Sequence, residues 1–287
     1  MDIDHLRTLR LQDPGAIQRA AASRSRRALG ARMMLIAADH PARGALAARG
    51  RPQAMADRGD LLARLVTALG RPGVDGVLGT PDMVEDLLLL GALEDKVVVG
   101  SMNRGGLAGS VFEMDDRFTS YDARSIADMG LDGGKMLVRI SLEDPATVRT
   151  LEQSAHAVSQ LAASGLMAMV EPFMSRWEEG KVVNDLTPDA VIKSVGIASG
   201  LGSTSRHTWL KLPVVDDMER VMRSTTLPTM LLGGDPKGSD EEVFASWAKA
   251  LALPGVRGLV VGRALLYPEN DDVAAAVDVA AGLVIGA

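Results

Sequence analysis

His207-Thr208-Trp209-Leu210-Lys211-Leu212-Pro213 is a short apolar run with a lysine inside it. Its length and composition read as a buried strand. Helical patterns flank it at 188–200 and 216–223, and another apolar pulse follows at 229–233. The same alternation extends outward to both ends. Strand candidates at 32–38, 74–79, 97–101, 135–140 and 166–171 precede it, and one at 257–262 closes the series. Helical patterns at 55–69, 81–90, 123–129, 145–163, 241–251 and 271–284 lie between and after them. Compact apolar strands of this kind belong to parallel sheets covered by helices. Thr80-Pro81, Asp144-Pro145 and Thr187-Pro188 place a capping residue before a proline, the usual start of a helix. Asp13 before Pro14 predicts one further helix ahead of the first strand. Eight βα units without a break in composition predict an α/β fold, a single (β/α)8 TIM barrel. Residues 1–287 then form one domain, with 1–31 as an N-terminal helical extension and 32–287 as the barrel. A doubly wound open sheet is the competing arrangement.

The 287 residues suit such a barrel, and 47% hydrophobic residues supply a substantial core. Aromatics are only 3%, and 15 methionines take up part of their role. A net charge of −6 argues against non-specific nucleic-acid binding but leaves room for a locally positive site. With no cysteine there is no disulfide, thiolate nucleophile or cysteine-held metal. Met1-Asp2-Ile3-Asp4-His5 has no signal-peptide pattern, and no apolar run is long enough to span a bilayer. The expectation is a soluble cytoplasmic protein without a membrane partner.

Barrel chemistry gathers where the strands end. A lysine enters a core only with a partner or a task, because burial disfavours its charged form. The neutral amine thus favoured at Lys211 would be a nucleophile for carbonyls. Equally, Lys211 can be a strand-end residue whose head reaches water. Lys135 opens the fourth strand after Gly133-Gly134 and is the rival nucleophile. Arg139 shares its face and would bind anionic substrate groups or lower the pKa of Lys211. Glu171 and Asp39 are the acid/base candidates. Against these roles stand an ion pair of Glu171 with Lys135 or Arg139, and an Asx turn or cap at Asp39. Gly233-Gly234 with Lys237, and Gly262 with Arg263, follow the last two strands, the usual phosphate position in barrels. The competing reading makes these glycines simple tight turns. Asn103, in Asn103-Arg104-Gly105-Gly106, and His207 are further substrate contacts, although His207 could equally be a barrel-interior residue. The histidines form no HxH or HExxH pattern, so no metal site is expected. Glu113-Met114-Asp115-Asp116 reads as a loop or cap without chemistry.

These segments in order resemble the class I aldolase superfamily of deoxyribose-phosphate, tagatose-bisphosphate and archaeal fructose-bisphosphate aldolases. The resemblance runs through Ala37-Ala38-Asp39-His40, Val170-Glu171-Pro172-Phe173, Leu210-Lys211-Leu212-Pro213, Gly233-Gly234-Asp235-Pro236-Lys237 and Val261-Gly262-Arg263. It implies that Lys211 is the Schiff-base lysine and that no cofactor is needed. It also implies that Lys135 and Glu171 match the tagatose-bisphosphate branch. Where the archaeal fructose-bisphosphate branch uses a tyrosine for proton transfer, this chain offers Glu171. The stretch 109–119 is similar to an aldolase-like family associated with inositol catabolism. That similarity implies 2-deoxy-5-keto-gluconate 6-phosphate as a candidate substrate. Relatives imply a homo-oligomer. A thiolase-like acyltransferase of the same superfamily and a non-catalytic phosphosugar-binding barrel are the alternatives.

Overall fold

Each of the eight apolar pulses forms a strand in the computed structural model, which describes residues 3–234 and 238–287. They are β1 (Met33–Ala37), β2 (Gly76–Gly79), β3 (Val97–Ser101), β4 (Gly133–Ile140) and β5 (Met167–Glu178), then, after a short β6 (Lys181–Asn184), β7 (Thr208–Pro213), β8 (Thr229–Leu232) and β9 (Val256–Val261). All but β6 pair in parallel, each with its neighbours in chain order, and β9 returns to pair with β1. The result is a closed eight-stranded parallel barrel with helices between the strands, the (β/α)8 arrangement expected.

Helices α1 (Ile3–Gln12) and α2 (Ala16–Ser23) precede β1. The connecting helices are α3 (Arg58–Leu69), α4 (Pro81–Leu89), α5 (Ala123–Asp128), α6 (Ala146–Ala163), α7 (Pro188–Ser199), α8 (Met218–Met222) and α9 (Asp240–Leu251). After β9 come α10 (Arg263–Leu266) and α11 (Val273–Gly286). No helix among the described residues is long and apolar enough to cross a membrane.

Alternation along the strands sorts the apolar residues into two cores. Met33, Leu35, Ala37, Leu78, Val97, Val99, Met167, Met169, Met230 and Val260 fill the barrel interior. Their sequence neighbours, such as Ile36, Val77, Val98, Val170 and Leu210, face the helices. Unbranched methionine serves in both cores of this aromatic-poor protein, with Met33, Met167, Met169 and Met230 inside the barrel and others, such as Met34, Met83 and Met136, beneath the helices.

Three local expectations are corrected. Asp13 does not cap α2: Gly15 holds the cap position without a side-chain bond, and Asp13 pairs with Arg19 instead. The third helix starts at Arg58 rather than 55, because Asp57 accepts from Asp60 N at 2.8 Å and so ends the preceding loop. The fifth strand continues well past Glu171 and folds back antiparallel onto β6. Glu179 and Gly180 supply the two positive φ angles, 48° and 76°, that a tight hairpin turn requires.

Candidate active site

Continuing the inward-facing positions of each strand by steps of two leads from the apolar interior to a polar mouth. Beyond Ala37 comes Asp39; beyond Val99, Ser101; beyond Met169, Glu171; beyond Trp209, Lys211. Lys135 pairs in register with Met169, and Lys211 with Met230. Asp39, Lys135, Glu171 and Lys211 line a cavity of about 430 Å³, a size that suits a small ligand.

Two lysines share one carboxylate there. Lys211 Nζ lies 3.1 Å from Glu171 Oε1, and Lys135 Nζ contacts Glu171 Oε2. Lys135 also donates to Asp39 Oδ2 at 3.2 Å. Asp39 in turn pairs with Arg104, while Ser101 Oγ donates to Asp39 at 3.3 Å. Lys135 and Lys211 are only 1% and 4% exposed. Burial lowers the pKa of Lys211 against the pull of Glu171, and the Arg104 and Arg263 charges lower it further. Burial, reinforced by Arg104, pushes Lys135 well down as well, again against Glu171. For Glu171, burial would raise the pKa, but the Lys135 and Lys211 ammoniums outweigh it and hold the carboxyl well below its usual range. His40 also lines the cavity, and burial, aided by Arg263 and Lys211, holds its imidazole neutral.

Arg139 reaches the cavity but is occupied. Its guanidinium grips Asp116 from Nε at 2.8 Å and from an Nη at 2.6 Å, and it contacts the Glu113 carboxylate and carbonyl. The acidic stretch that read as chemically idle is therefore the counterion of Arg139. Gly106 permits this closure, since a Cβ there would lie 2.2 Å from Glu113 O. Asp116→Ala would leave Arg139 buried without its main partner, which costs about 3–5 kcal/mol. A marked fall in the melting temperature is the expected outcome.

Two expected substrate contacts are corrected. Asn103 does not line the cavity; its amide donates to the carbonyls of Asp116 and Leu137 and its oxygen accepts from Leu137 N. It is buried and fastens the loop after β3 to β4. His207 precedes β7, four residues before Lys211, so it sits about 13 Å toward the opposite end of the barrel. Gly233, Gly234, Gly262 and Arg263 do line the cavity, next to β8 and β9. At Gly262 a Cβ would lie 2.2 Å from Ala37 O, so close strand packing demands glycine whatever binds there. Lys237 lies outside the described residues.

Arg43, Arg104 and His40 are cavity residues to which the sequence reading gave no role. A buried arginine requires an acid, but Glu143-Asp144 lie nearer to Arg139 along the chain than Glu113 and Asp116, with which it pairs, so sequence distance did not reveal the counterion. Among the described residues no cluster of three or more His, Asp or Glu could hold a metal ion.

Fold and cavity together define a (β/α)8 barrel with a lysine–carboxylate centre at its C-terminal mouth. Within that class the chain belongs to the Cgl0159-like family, whose model matches residues 31–281. The crystal structure of Cgl0159 from Corynebacterium glutamicum is 58% identical and superposes with a TM-score of 0.96, covering 99% of this chain and 96% of that chain. A Schiff-base-forming fructose-1,6-bisphosphate aldolase superposes with a TM-score of 0.68 at 16% identity, over 93% of this chain and 99% of that one. An archaeal fructose-1,6-bisphosphate aldolase, its catalytic lysine bound to a carbinolamine intermediate, gives 0.67 at 17% identity over 93% and 99%. At such identities the likeness to these aldolases is one of fold. A search of curated proteins gave no match.

Proposed function

We propose that this protein is a class I aldolase that makes or breaks a carbon–carbon bond in a phosphorylated keto sugar or sugar acid, with Lys211 as the Schiff-base residue. The observation that carries this reading is Lys211 itself, buried at the barrel mouth with Glu171 as its one ion-pair partner among the described residues. Arg104, Lys135 and Lys211 bring three positive charges against the two of Asp39 and Glu171. Deprotonating one lysine balances the cluster. Burial and Arg104 push Lys135 further down than Lys211, but Lys135 touches two carboxylates and Lys211 only one, so deprotonating Lys211 breaks fewer ion pairs, and the geometry favours Lys211 as the free amine. The barrel shared with Schiff-base aldolases supports a lysine nucleophile at this mouth without choosing between the two.

The free amine adds to the substrate ketone, and the carbinolamine loses water to give an iminium. Bonding to substrate withdraws Lys211 from Glu171 and frees Oε1 as a base. Glu171 takes the proton of the hydroxyl β to the iminium. The bond between that carbon and its neighbour breaks, an aldehyde leaves, and the electron pair moves to the iminium as an enamine. Protonation of the enamine carbon and hydrolysis then restore Lys211 and release the second product. Lys135 stays charged beside Glu171 and orients substrate oxygen atoms. The Gly233-Gly234 and Gly262 turns, with Arg263, receive the phosphate. Within this class, the similarity at 109–119 favours 2-deoxy-5-keto-gluconate 6-phosphate.

Borohydride reduction with a panel of phosphorylated ketoses, followed by peptide mass spectrometry, tests the assignment. The expected adduct is on Lys211. An adduct on Lys135 would move the nucleophile, and no adduct with any ketose would favour a non-catalytic binding barrel. Acyl transfer to a thiol without aldol cleavage would favour the thiolase-like alternative. Because burial lowers the Lys211 pKa, the initial trapping rate is expected to rise with pH and level off below 10.5, the ordinary lysine value. A rise that continues through 10.5 would mean an ordinary exposed amine.

A further inference from the structure

We propose that Arg43 forms a second anion-binding subsite in the cavity, so that the substrate carries an anionic group at each end, one toward Arg263 and one at Arg43. This inference rests on the aldolase reading and narrows its substrate class. Arg43 ends the short turn Pro41–Arg43 that follows β1, and it lines the same cavity as Lys211. Its carbonyl accepts from Ala108 N at 2.9 Å, which braces it against the loop after β3.

Its guanidinium, unlike that backbone, is incompletely served. Nε is buried without a hydrogen-bond partner, and no carboxylate among the described residues lies within ion-pair distance. Arg104 and Arg139 in the same cavity each grip an aspartate. Burial and the Arg139 charge both act against the Arg43 cation, only partly offset by Asp116, Glu171 and Glu113 at longer range. A buried donor without an acceptor is costly in the resting protein and becomes an asset when an anion arrives.

The wider charge balance points the same way. Arg43, Arg104, Lys135, Arg139, Lys211 and Arg263 line the cavity, six cationic side chains against the carboxylates of Asp39 and Glu171. Even with Glu113 and Asp116 counted behind Arg139, the cations outnumber the acids. The two cationic groups also have different charged neighbours. Arg263 acts on His40 and Lys211, whereas Arg43 acts with Arg139, Asp116 and Glu113 on the side of the loop after β3. Both groups and Lys211 line one cavity, so a single ligand there can meet all three. The second anion can be a carboxylate or a phosphate, since a guanidinium fork serves both.

The test measures half-saturation of wild-type protein by isothermal titration and by borohydride trapping. The ligands are dihydroxyacetone phosphate, fructose 1,6-bisphosphate and a 6-phosphorylated keto acid. At least one doubly anionic ligand is expected to half-saturate at a concentration about tenfold or more below that of dihydroxyacetone phosphate, about 1.4 kcal/mol. A bisphosphate preference would identify phosphate at Arg43, and a keto-acid preference would identify carboxylate. In Arg43→Met that ratio is expected to fall about tenfold, and Arg43→Lys is expected to recover part of it. A merely structural role would weaken all three ligands equally and leave the ratio intact, which would overturn the proposal. Should Arg43→Met not fold, equal half-saturation of the wild type by all three ligands would overturn it alone. Titration that shows the ratio without any trapped adduct would retain Arg43 as a subsite and remove the aldolase reading instead.

Discussion

Lys211→Met is expected to yield a folded protein that forms no borohydride-reducible adduct with any phosphorylated ketose. Methionine keeps the length and apolar stem of the side chain and removes only the amine. Stability should hold, because Glu171 retains Lys135 as its partner and no buried charge is orphaned. Lys135→Met behaves differently. Asp39 keeps Arg104 and Glu171 keeps Lys211, so the adduct should persist while a raised Lys211 pKa slows its formation near neutral pH. Mass spectrometry after reduction distinguishes the two variants. Undiminished trapping in Lys211→Met would transfer the nucleophile to another residue.

Glu171→Gln is expected to lower turnover by about 10²–10⁴-fold, the usual contribution of a positioned acid–base group. It should also destabilise the fold by about 3–5 kcal/mol, because two buried lysines lose the carboxylate they share. Acid dependence separates this from a general packing defect. The folded Glu171 carboxyl lies below its ordinary value of 4.5, so its stabilising effect is full above that pH. That effect is lost as pH falls below 4.5 toward the folded value. Wild-type melting temperature should therefore fall more steeply below pH 4.5 than that of the variant. Parallel curves would show that Glu171 carries no such linkage.

The eight barrel strands were legible because most are compact apolar runs whose residues are nearly all buried. The β5–β6 hairpin was not, since its outer half is polar and partly exposed and gives no apolar pulse. At the mouth, strand ends pointed to Asp39 and Glu171 near Lys211, whereas Lys135, expected at the opening of its strand, joins them through its contacts with Asp39 and Glu171. Parity put His207 on the face of Lys211, but parity does not tell one end of a strand from the other. The pairing of Arg139 with Glu113 and Asp116 depends on how a long loop folds back, which local pattern does not encode. Asn103 stands at a strand end as a ligand would, and only its saturated hydrogen bonds reveal a fastener.

The methionines inside the barrel carry a redox consequence. Met33, Met167, Met169 and Met230 are at most 1% exposed, and two of them sit in register beside Lys135 and Lys211. A sulfoxide there would put a bulkier, polar group into a closely packed apolar layer and compete with the carboxylates for the lysine amines. In the closed barrel these thioethers are shielded from peroxide. Oxidative damage at this layer therefore tracks how often the barrel opens, and a ligand that stabilises the folded barrel slows it.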